Sequence, residues 1–498
     1  MTAVVGTNVS ALFSQRAMND SQGALTRSME RLSSGQRINS ASDDAAGSAI
    51  SDRMTSQIKG LNQAARNTND TISLVKVAEG AMQESGSILQ RMRELSLQSA
   101  SDTNTSADRQ YLQKEVSQLQ QELTRISATT QFNNQNLLDG NFTAKTFQVG
   151  ANSGQHVKIS IGDMSSDKIG SHDLDTNGTA RTAVVNSANS AAVSTVLATE
   201  DLTIAGHLGT TTIDVLAGGT ARDIAALANG VENNTGVSAT AVTKAKLDTV
   251  SATGTFTMNL YGKNTTAVAI STNITNTSDL TNLAEAINAR SGTTGITAEL
   301  ADNKASVTVT QFEGYDIVIE DVLENGGSAA TMNMTGVDQD GATSGAAGVL
   351  GAATATDTGR VGGSVSFSSA KDYTVKSAAA GGVMSATTAN GSSLSNVSDI
   401  DITTQTGANG AIDVLDGALT FVQDERANLG GVQNRLETTS SNLSNVSDNI
   451  SAARSGVQDA DFAAESSILA KNKILQQAGT AMLAQANQSA QSVLSLLR

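Results

Sequence analysis

Near the C-terminal end of this 498-residue chain, seven apolar residues recur at steps of seven: Leu415, Val422, Leu429, Leu436, Leu443, Ile450 and Val457. An α-helix turns once per about 3.6 residues, so a seven-residue repeat keeps one apolar stripe on one side of the helix. A stripe of this length is best buried against another long helix. The spacing therefore predicts a continuous helix over residues 411–457 that packs along a helical partner.

A candidate partner lies in the N-terminal part of the chain. There, a row of mostly apolar residues alternates at steps of four and three: Met54, Ile58, Leu61, Ala65, Thr68, Ile72 and Val75. The residues between the two rows are rich in Gly, Thr, Ser, Ala and Asn and lack this rhythm. We therefore predict an α+β multidomain fold, in which a long helical coiled coil or bundle from both termini carries inserted β-rich outer domains.

The outermost segments, residues 1–33 and 462–498, also carry apolar stripes at helical spacing. Little sequence remains within the chain to cover these stripes, and isolated helices are marginal in water. We expect them to be buried against other copies of the same chain.

The middle of the chain contains an internal repeat. Residues Ile224–Ala239 and Leu283–Ala298 match at a constant offset of 59 residues. Each copy is preceded by a predicted strand, contains a short helix and continues into a strand after a Thr-Gly turn. A repeat at this period indicates a duplicated supersecondary unit.

The composition argues against several classes of function. Acidic residues outnumber basic ones by 48 to 32, for a net charge of −16, whereas nucleic-acid and anionic-membrane surfaces are usually met by basic faces. The chain has no cysteine, and His156, His172 and His207 lack the spacing of metal ligands. Asp338–Gly341 resembles the start of a calcium loop, but Val349 stands where a ligand is required. No hydrolase, protease or P-loop motif occurs, so we predict no catalytic, cofactor-binding or metal-binding residues.

Proline is also absent, where about 5% is usual. Two explanations are open. One is a biased composition, and the other is selection for rapid refolding, because X–Pro bonds isomerise over tens of seconds. The first residues do not form a cleavable signal peptide, and no run of 18 apolar residues occurs. We expect no membrane insertion, and either a cytosolic location or export without a cleaved signal.

Four motifs carry a family resemblance: RLSSGQRINSASDDAAG at 31–47, TQFNNQNLLDG at 130–140, FQVGAN at 147–152 and VLSLLR at 493–498. In this order they closely resemble bacterial flagellin, the subunit of the filament that drives swimming. The resemblance covers about 1–176 and 405–498.

The resemblance implies three domains. Residues 1–43 with 458–498 would form a coiled-coil domain lining the filament channel. Residues 44–176 with 406–457 would form a helical bundle core with a small β-hairpin region. Residues 177–405 would form variable, surface-exposed domains, with the repeat at about 202–245 and 258–310.

The resemblance also implies partners. The chain would polymerise with itself into an extracellular flagellar filament, after export in an unfolded state through the flagellar type III apparatus. Its other partners would be an export chaperone that holds the C-terminal helix, the filament cap and the hook-junction proteins.

Immune recognition is a further implication. The helix face QRMRELSLQ at 90–98 matches the segment that the flagellin-sensing Toll-like receptor of animals reads. The residues that carry over are Gln90, Arg91, Leu95, Gln98 and, on the next helix, Glu115, while Leu119 stands where stimulatory relatives often have arginine. The same face would also pack between subunits. Leu494, Leu496 and Leu497 match the segment read by cytosolic inflammasome receptors and used in assembly.

Three alternatives stay open at this stage. A hook–filament junction protein shares the terminal plan, but the long insert and the intact FQVGAN segment favour flagellin. A filament subunit with an enzyme in its middle domain would need clustered catalytic residues. A secreted adhesin would carry a ligand site on its projecting domains.

Overall fold

The computed structural model describes residues 7–176, 185–187, 199–324, 331–339, 341–351, 358–379 and 382–495. Contacts divide the chain into two compact units. Unit 1 comprises Met1–Lys76, Thr143–Ser160 and Leu429–Arg498, and unit 2 comprises Val77–Phe142 and Ile161–Asn428. Long terminal helices and a β-rich middle confirm the predicted fold class.

Five long helices come from the two ends of the chain: α1 (Val9–Ser34), α2 (Ala45–Ala100), α3 (Ser106–Thr129), α8 (Gln405–Gln458) and α9 (Phe462–Ser495). Helix α2 begins after Asp44, whose Oδ1 accepts a hydrogen bond from the Gly47 N–H at 2.9 Å. Helix α3 begins with a capping box, in which Thr105 and Asp108 each bond the other's backbone N–H. These caps satisfy helix-start N–H groups that have no carbonyl partner within the helix.

The seam residues of α8 are buried over most of their row. Leu415, Val422, Leu429, Leu436 and Leu443 are each less than 9% exposed. Ile450 and Val457, near the end of the helix, are partly exposed. On α2, the seam residues Leu61, Ile72 and Val75 are buried, and Met54 and Ile58 are partly exposed. In unit 1, Leu61, Ala64 and Leu443 form one apolar cluster, against which Ala65 and Ile450 pack.

Two short hairpins follow α3, namely β1 (Gln131–Phe132) with β2 (Gln135–Asn136), and β3 (Lys145–Gln148) with β4 (His156–Ile159). The remaining strands are β5 (Gly170–Asp175), β6 (Val185–Ser187), β7 (Glu200–Ala205), β8 (Thr210–Val215), β9 (Ser238–Asp248), β10 (Gly254–Tyr261), β11 (Val268–Ile274), β12 (Ile296–Leu300), β13 (Ser306–Gln311), β14 (Ile317–Glu324), β15 (Met332–Val337), β16 (Thr343–Leu350), β17 (Thr358–Val361), β18 (Ser364–Ser369), β19 (Thr374–Ser377), β20 (Asn390–Gly391) and β21 (Ser393–Asn396).

These strands form three larger antiparallel sheets within the described residues. One has the order β11-β10-β14-β17-β6, and another has the order β20-β19-β7-β8. The largest has the order β12-β13-β9-β18-β5-β21, and β15 also pairs with β9 and with β16. The long strand β9 is therefore the centre of this sheet, and it collects partners from distant parts of the chain.

The internal repeat appears as two copies of the same unit. Each copy has two short helices, α4 (Ala221–Gly230) with α5 (Glu232–Thr235), and α6 (Thr281–Asn288) with α7 (Ser291–Thr294). In the first copy, the Asn229 amide bonds both backbone groups of Ala239, at 2.9 and 2.7 Å. In the second, Asn288 does the same to Ala298, at 2.7 Å for both bonds. The offset of 59 residues is thus repeated in the contacts as well as in the sequence.

The segment that leads from β21 into α8 lies against α3. Val397, Ile400 and Ile402 are buried. The side chain of Gln113 donates to Ile400 O at 3.1 Å and accepts from Ile402 N at 2.8 Å. The chain is therefore fixed to the helices of unit 2 before α8 begins.

Candidate assembly and recognition surfaces

Helices α1 and α9 pair along their length in unit 1. Asn8 Nδ2 donates to Ala486 O at 3.0 Å, and Gln476 donates to the side chain of Gln22. Near the other end of α1, Arg31 Nη1 lies 3.8 Å from Glu465 Oε2. These contacts join the two ends of the chain through polar groups.

The α1–α9 pair buries few side chains completely and leaves many large apolar ones exposed. The buried side chains of α1 and α9 within the described residues are Ser28, Glu465 and Asn472, and all three are polar. The exposed large apolar side chains are Val9, Leu12, Phe13 and Met29 on α1, and Phe462, Ile468, Ile474, Leu475 and Met482 on α9. Asn472 Nδ2 is buried and makes no hydrogen bond.

Such a surface is unfavourable in water. Burying one large apolar side chain contributes about 1.5–3 kcal/mol, and contiguous exposed apolar patches mark interaction sites. The α1–α9 pair therefore has the chemistry of an interface whose partner lies outside the single chain.

The face at residues 90–98 presents three of its predicted residues to solvent. Gln90, Arg91 and Gln98 are exposed, whereas Leu95 is only 1% exposed and belongs to the core. Leu95 holds α2 in place and offers no surface of its own in the single chain. Leu119 on α3 is partly buried.

Arg91 is held between two carboxylates. Its Nε and Nη2 donate to Glu115 Oε1 at 3.0 and 2.8 Å, and its Nη1 donates to Glu94 Oε2 at 3.1 Å. The hydrogen bonds to Glu115, followed by those to Glu94, raise the pKa of the Arg91 guanidinium. The structure thus brings Arg91 and Glu115 together, as one charged feature that spans α2 and α3.

A second arginine on α2 went unnoticed in the sequence. Arg93 donates from Nε to Asp416 Oδ1 at 2.6 Å and from Nη2 to Asp416 Oδ2 at 3.1 Å. Side chains two positions apart in a helix are separated by about 200° around its axis, so Arg91 and Arg93 point to different sides of α2. Arg93 lies two residues after Arg91, and Asp416 lies one residue after the seam position Leu415. These two positions are the sequence signal for the Arg93–Asp416 pair.

The remaining predicted positions carry no site geometry. Leu496 and Leu497, and the side chain of Leu494, lie outside the described residues. Asp338 forms a turn in which its Oδ1 accepts from Ala342 N at 2.8 Å. Across the part of the chain that the structure describes, no cluster of three His, Cys, Asp or Glu residues could hold a metal ion. No described helix has the length and apolarity needed to cross a membrane.

Known proteins resemble this chain over its whole length. Residues 5–143 match the bacterial flagellin N-terminal helical region, and residues 412–497 match the bacterial flagellin C-terminal helical region. The chain is 42% identical to the B-type flagellin of Pseudomonas aeruginosa, with 100% of both chains covered. It is 35% identical to flagellin B of Vibrio anguillarum and to polar flagellin A of Vibrio parahaemolyticus, again with 100% of each chain covered. The likeness therefore extends through the inserted sheets as well as the terminal helices.

Proposed function

Because the chain belongs to the bacterial flagellin family, it is a structural subunit of the flagellar filament, and we propose how its surfaces build that filament. The observation that carries the proposal is the exposure of large apolar side chains along the α1–α9 pair. Its exposed side chains include many large apolar ones, whereas the side chains that are fully buried within the described residues are polar, so copies of the chain gain free energy by covering one another's stripes.

The proposed domains divide this work. Residues 1–43 with 458–498 form the coiled-coil domain that lines the channel, and residues 44–176 with 406–457 form the bundle core. Residues 177–405 form the surface-exposed domains. The buried α8 seam supports a bundle that closes within one subunit, and the exposed α1–α9 stripes support a domain that closes only in the filament.

Salt-induced polymerisation of purified monomer tests this function. We expect filaments by electron microscopy from the native chain and none from Met482→Asp. Met482 is 62% exposed in the single chain, and the substitution places a charge in the apolar stripe that neighbouring subunits would bury. Gln477→Asp adds the same charge to an exposed polar position of α9 and should polymerise normally. Normal filaments from Met482→Asp would contradict the proposed interface.

A hook–filament junction protein is the less supported alternative. Flagellins of other bacteria align with the chain from end to end at 33–42% identity, including its middle. A junction protein caps its neighbours and does not propagate. Continuous elongation of filaments from seeds would therefore distinguish the two.

We further propose that Gln90, Arg91, Gln98 and Glu115 form a surface for a neighbouring subunit and for host flagellin receptors, with Leu95 supporting the helix beneath them. The exposure of these four residues and the Arg91–Glu115 contact support this. Arg91→Ala should weaken receptor activation by the monomer. Arg125 has a comparable exposed pair with Glu122, so Arg125→Ala is the matched control, and equal effects of the two changes would contradict a specific role.

The export machinery supplies the last proposed partners. We propose that a chaperone covers the apolar stripe of α9 before secretion. The filament cap and hook-junction proteins are proposed to bind the same terminal domain. The chain is proposed to leave the cell unfolded and without a cleaved signal. The absence of proline and cysteine supports fast refolding after export. Leu494, Leu496 and Leu497 are proposed to act in assembly and in recognition by cytosolic receptors. No enzymatic activity is proposed.

Removal of residues 462–498 tests the chaperone proposal. The shortened chain should lose chaperone binding in a pull-down, whereas removal of residues 1–33 should leave binding intact. Retained binding after loss of α9 would place the chaperone elsewhere.

A further inference from the structure

A cavity of about 450 Å³ lies within unit 2. Its walls come from Lys168 and Ile169 before β5, from Gly170 and His172 of β5, from the loop between β18 and β19 (Ala370–Asp372), from Leu394 of β21 and from Phe421 of α8. Strands from the sheet and a side chain from a long helix therefore meet at one small opening.

The backbone fixes these walls in place. His172 pairs with Leu394 on one side and with Ser369 on the other, within the ladder of the large sheet. At Gly170, a Cβ atom would lie only 2.0 Å from Ser395 O, so the close approach of β5 and β21 requires glycine. The strand walls of the cavity are thus fixed by the fold itself.

The charges at the opening favour an anion. Lys168 Nζ lies 3.2 Å from Asp167 Oδ2, and His172 Nδ1 lies 2.8 Å from Asp372 Oδ1 without hydrogen-bond geometry. Lys371 makes no ion pair with any carboxylate in the described ranges. Asp372 also lines the cavity, but its carboxylate faces His172, so Lys371 is the charged group of this lining that has no facing partner in the described ranges. An ammonium group in this position indicates a site for an external carboxylate.

The positive charge of Lys371 affects the pKa of the His207 imidazole. Burial lowers the pKa of His207 most, and the positive charge of Lys371 lowers it further, against the opposing effect of Asp424. At His207, the effect of Lys371 is larger than that of Asp424.

The other walls are apolar. Ile169, Ala370, Leu394 and Phe421 line the cavity. The Phe421 ring is held against the backbone at Gly162, where a Cβ atom would lie 2.9 Å from the ring Cζ. A fixed aromatic ring beside cationic groups suits a molecule with an apolar face and a negative charge.

We propose that this cavity binds a small organic carboxylate that carries one ring-sized apolar face. The carboxylate pairs with Lys371, with Lys168 beside it, and the apolar face packs on Phe421 and Leu394. Aromatic acids and acidic monosaccharides share this chemistry, and the volume holds one ring of either kind.

Ligand-observed saturation-transfer NMR on the full-length monomer tests the proposal. The probes are benzoate and N-acetylneuraminate, with benzamide and N-acetylglucosamine as their neutral counterparts. We expect saturable binding of at least one carboxylate, at least about tenfold tighter than that of its neutral counterpart. Signal from benzoate alone assigns an aromatic acid, and signal from N-acetylneuraminate alone assigns a sugar acid.

Substitutions locate the binding. Lys371→Gln should weaken it at least about tenfold, and Lys168→Gln should weaken it independently. Lys376→Gln, at an exposed lysine of β19, is the control and should bind as the native chain does. Circular dichroism verifies that each variant is folded. The proposal is overturned if neither carboxylate binds by about 20 mM, if neutral counterparts bind equally well, or if both folded Lys371→Gln and Lys168→Gln variants bind normally.

Discussion

Unit 1 contains two helix pairs that use the same apolar spacing in opposite ways. Where α2 faces α8, leucines such as Leu436 and Leu443 are buried. Where α1 faces α9, polar residues such as Glu465 and Asn472 are buried and large apolar side chains such as Phe13 are exposed. The first pair is complete within one chain, whereas the second is complete only when other subunits cover it. Helical periodicity predicts an apolar stripe on a helix. Burial in the structure shows whether the same chain covers that stripe.

Removing residues 1–33 and 462–498 should have the largest effect. The shortened chain should remain a folded, soluble monomer, because the α2–α8 seam stays buried, but it should form no filaments. Electron microscopy and sedimentation under conditions that polymerise the full chain provide the measurement. Filaments from the shortened chain would show that the stripes of α1 and α9 are dispensable.

Substitutions at Leu436 should destabilise the monomer itself. Leu436 is 0% exposed, so Leu436→Ala should lower the free energy of unfolding by about 2–5 kcal/mol through lost burial and a residual cavity. Leu436→Asp should cost more, because a carboxylate would be buried without a partner. Urea unfolding of the monomer, below the concentration at which it polymerises, measures both.

The neighbouring Glu437 is the control for this position. It is exposed, and its Oε1 accepts a hydrogen bond from Gln433 at 2.9 Å. Glu437→Ala should change the free energy of unfolding by no more than about 0.5 kcal/mol. Equal losses at positions 436 and 437 would mean that the heptad phase is wrong.

Phe13→Ala should separate assembly from folding. Phe13 is 77% exposed in the single chain, so the free energy of unfolding of the monomer should change by less than about 0.5 kcal/mol. The critical concentration for polymerisation should rise about tenfold, which corresponds to about 1.4 kcal/mol per subunit. Gln15→Ala, at an exposed polar position of α1, is the matched change. A critical concentration that rises as much for Gln15→Ala would remove Phe13 from the interface.

Asn472→Leu should have the smallest effect, and it should be stabilising. The Asn472 amide is buried with no hydrogen bond to its Nδ2, and an apolar side chain of similar size removes that cost of about 1 kcal/mol. Amide hydrogen exchange along α9 should slow accordingly. Lys471→Leu places leucine at an exposed neighbouring position and should not slow exchange. Faster exchange in Asn472→Leu would indicate that the polar interior of the pair is needed for its structure.

Much of the helical part could be predicted from the sequence, because periodicity is a local property. The helix break between α8 and α9, and the duplicated unit with its 59-residue offset, both follow from local patterns. The exposure of apolar side chains on the α1–α9 pair could not be predicted, because an apolar stripe does not reveal whether it faces its own chain or another.

The sheet topology was also beyond the sequence. A period of two identifies β9 as a strand, but its pairing with β13, β15 and β18 depends on contacts between distant residues. For the same reason, the sequence places Leu95 on a helix face without giving its depth, and its side chain is buried in the single chain. Side chains at one end of a helical face differ in depth according to what packs beside them, and that packing is a tertiary property.

The pairing of β5 with β21 brings the two ends of the middle region side by side. Asp173 lies opposite Ser393, and adjacent strands are about 4.8 Å apart, so the chain leaves the ladder and re-enters it through neighbouring positions. The contacts of Ile400 and Ile402 with α3 then secure the return before α8 begins. Because β5 also pairs with β18 of the middle region, a foreign domain grafted here needs termini that lie side by side and a strand that covers this edge of β5. A filament built from such a chain is a scaffold that displays one graft per subunit at regular spacing.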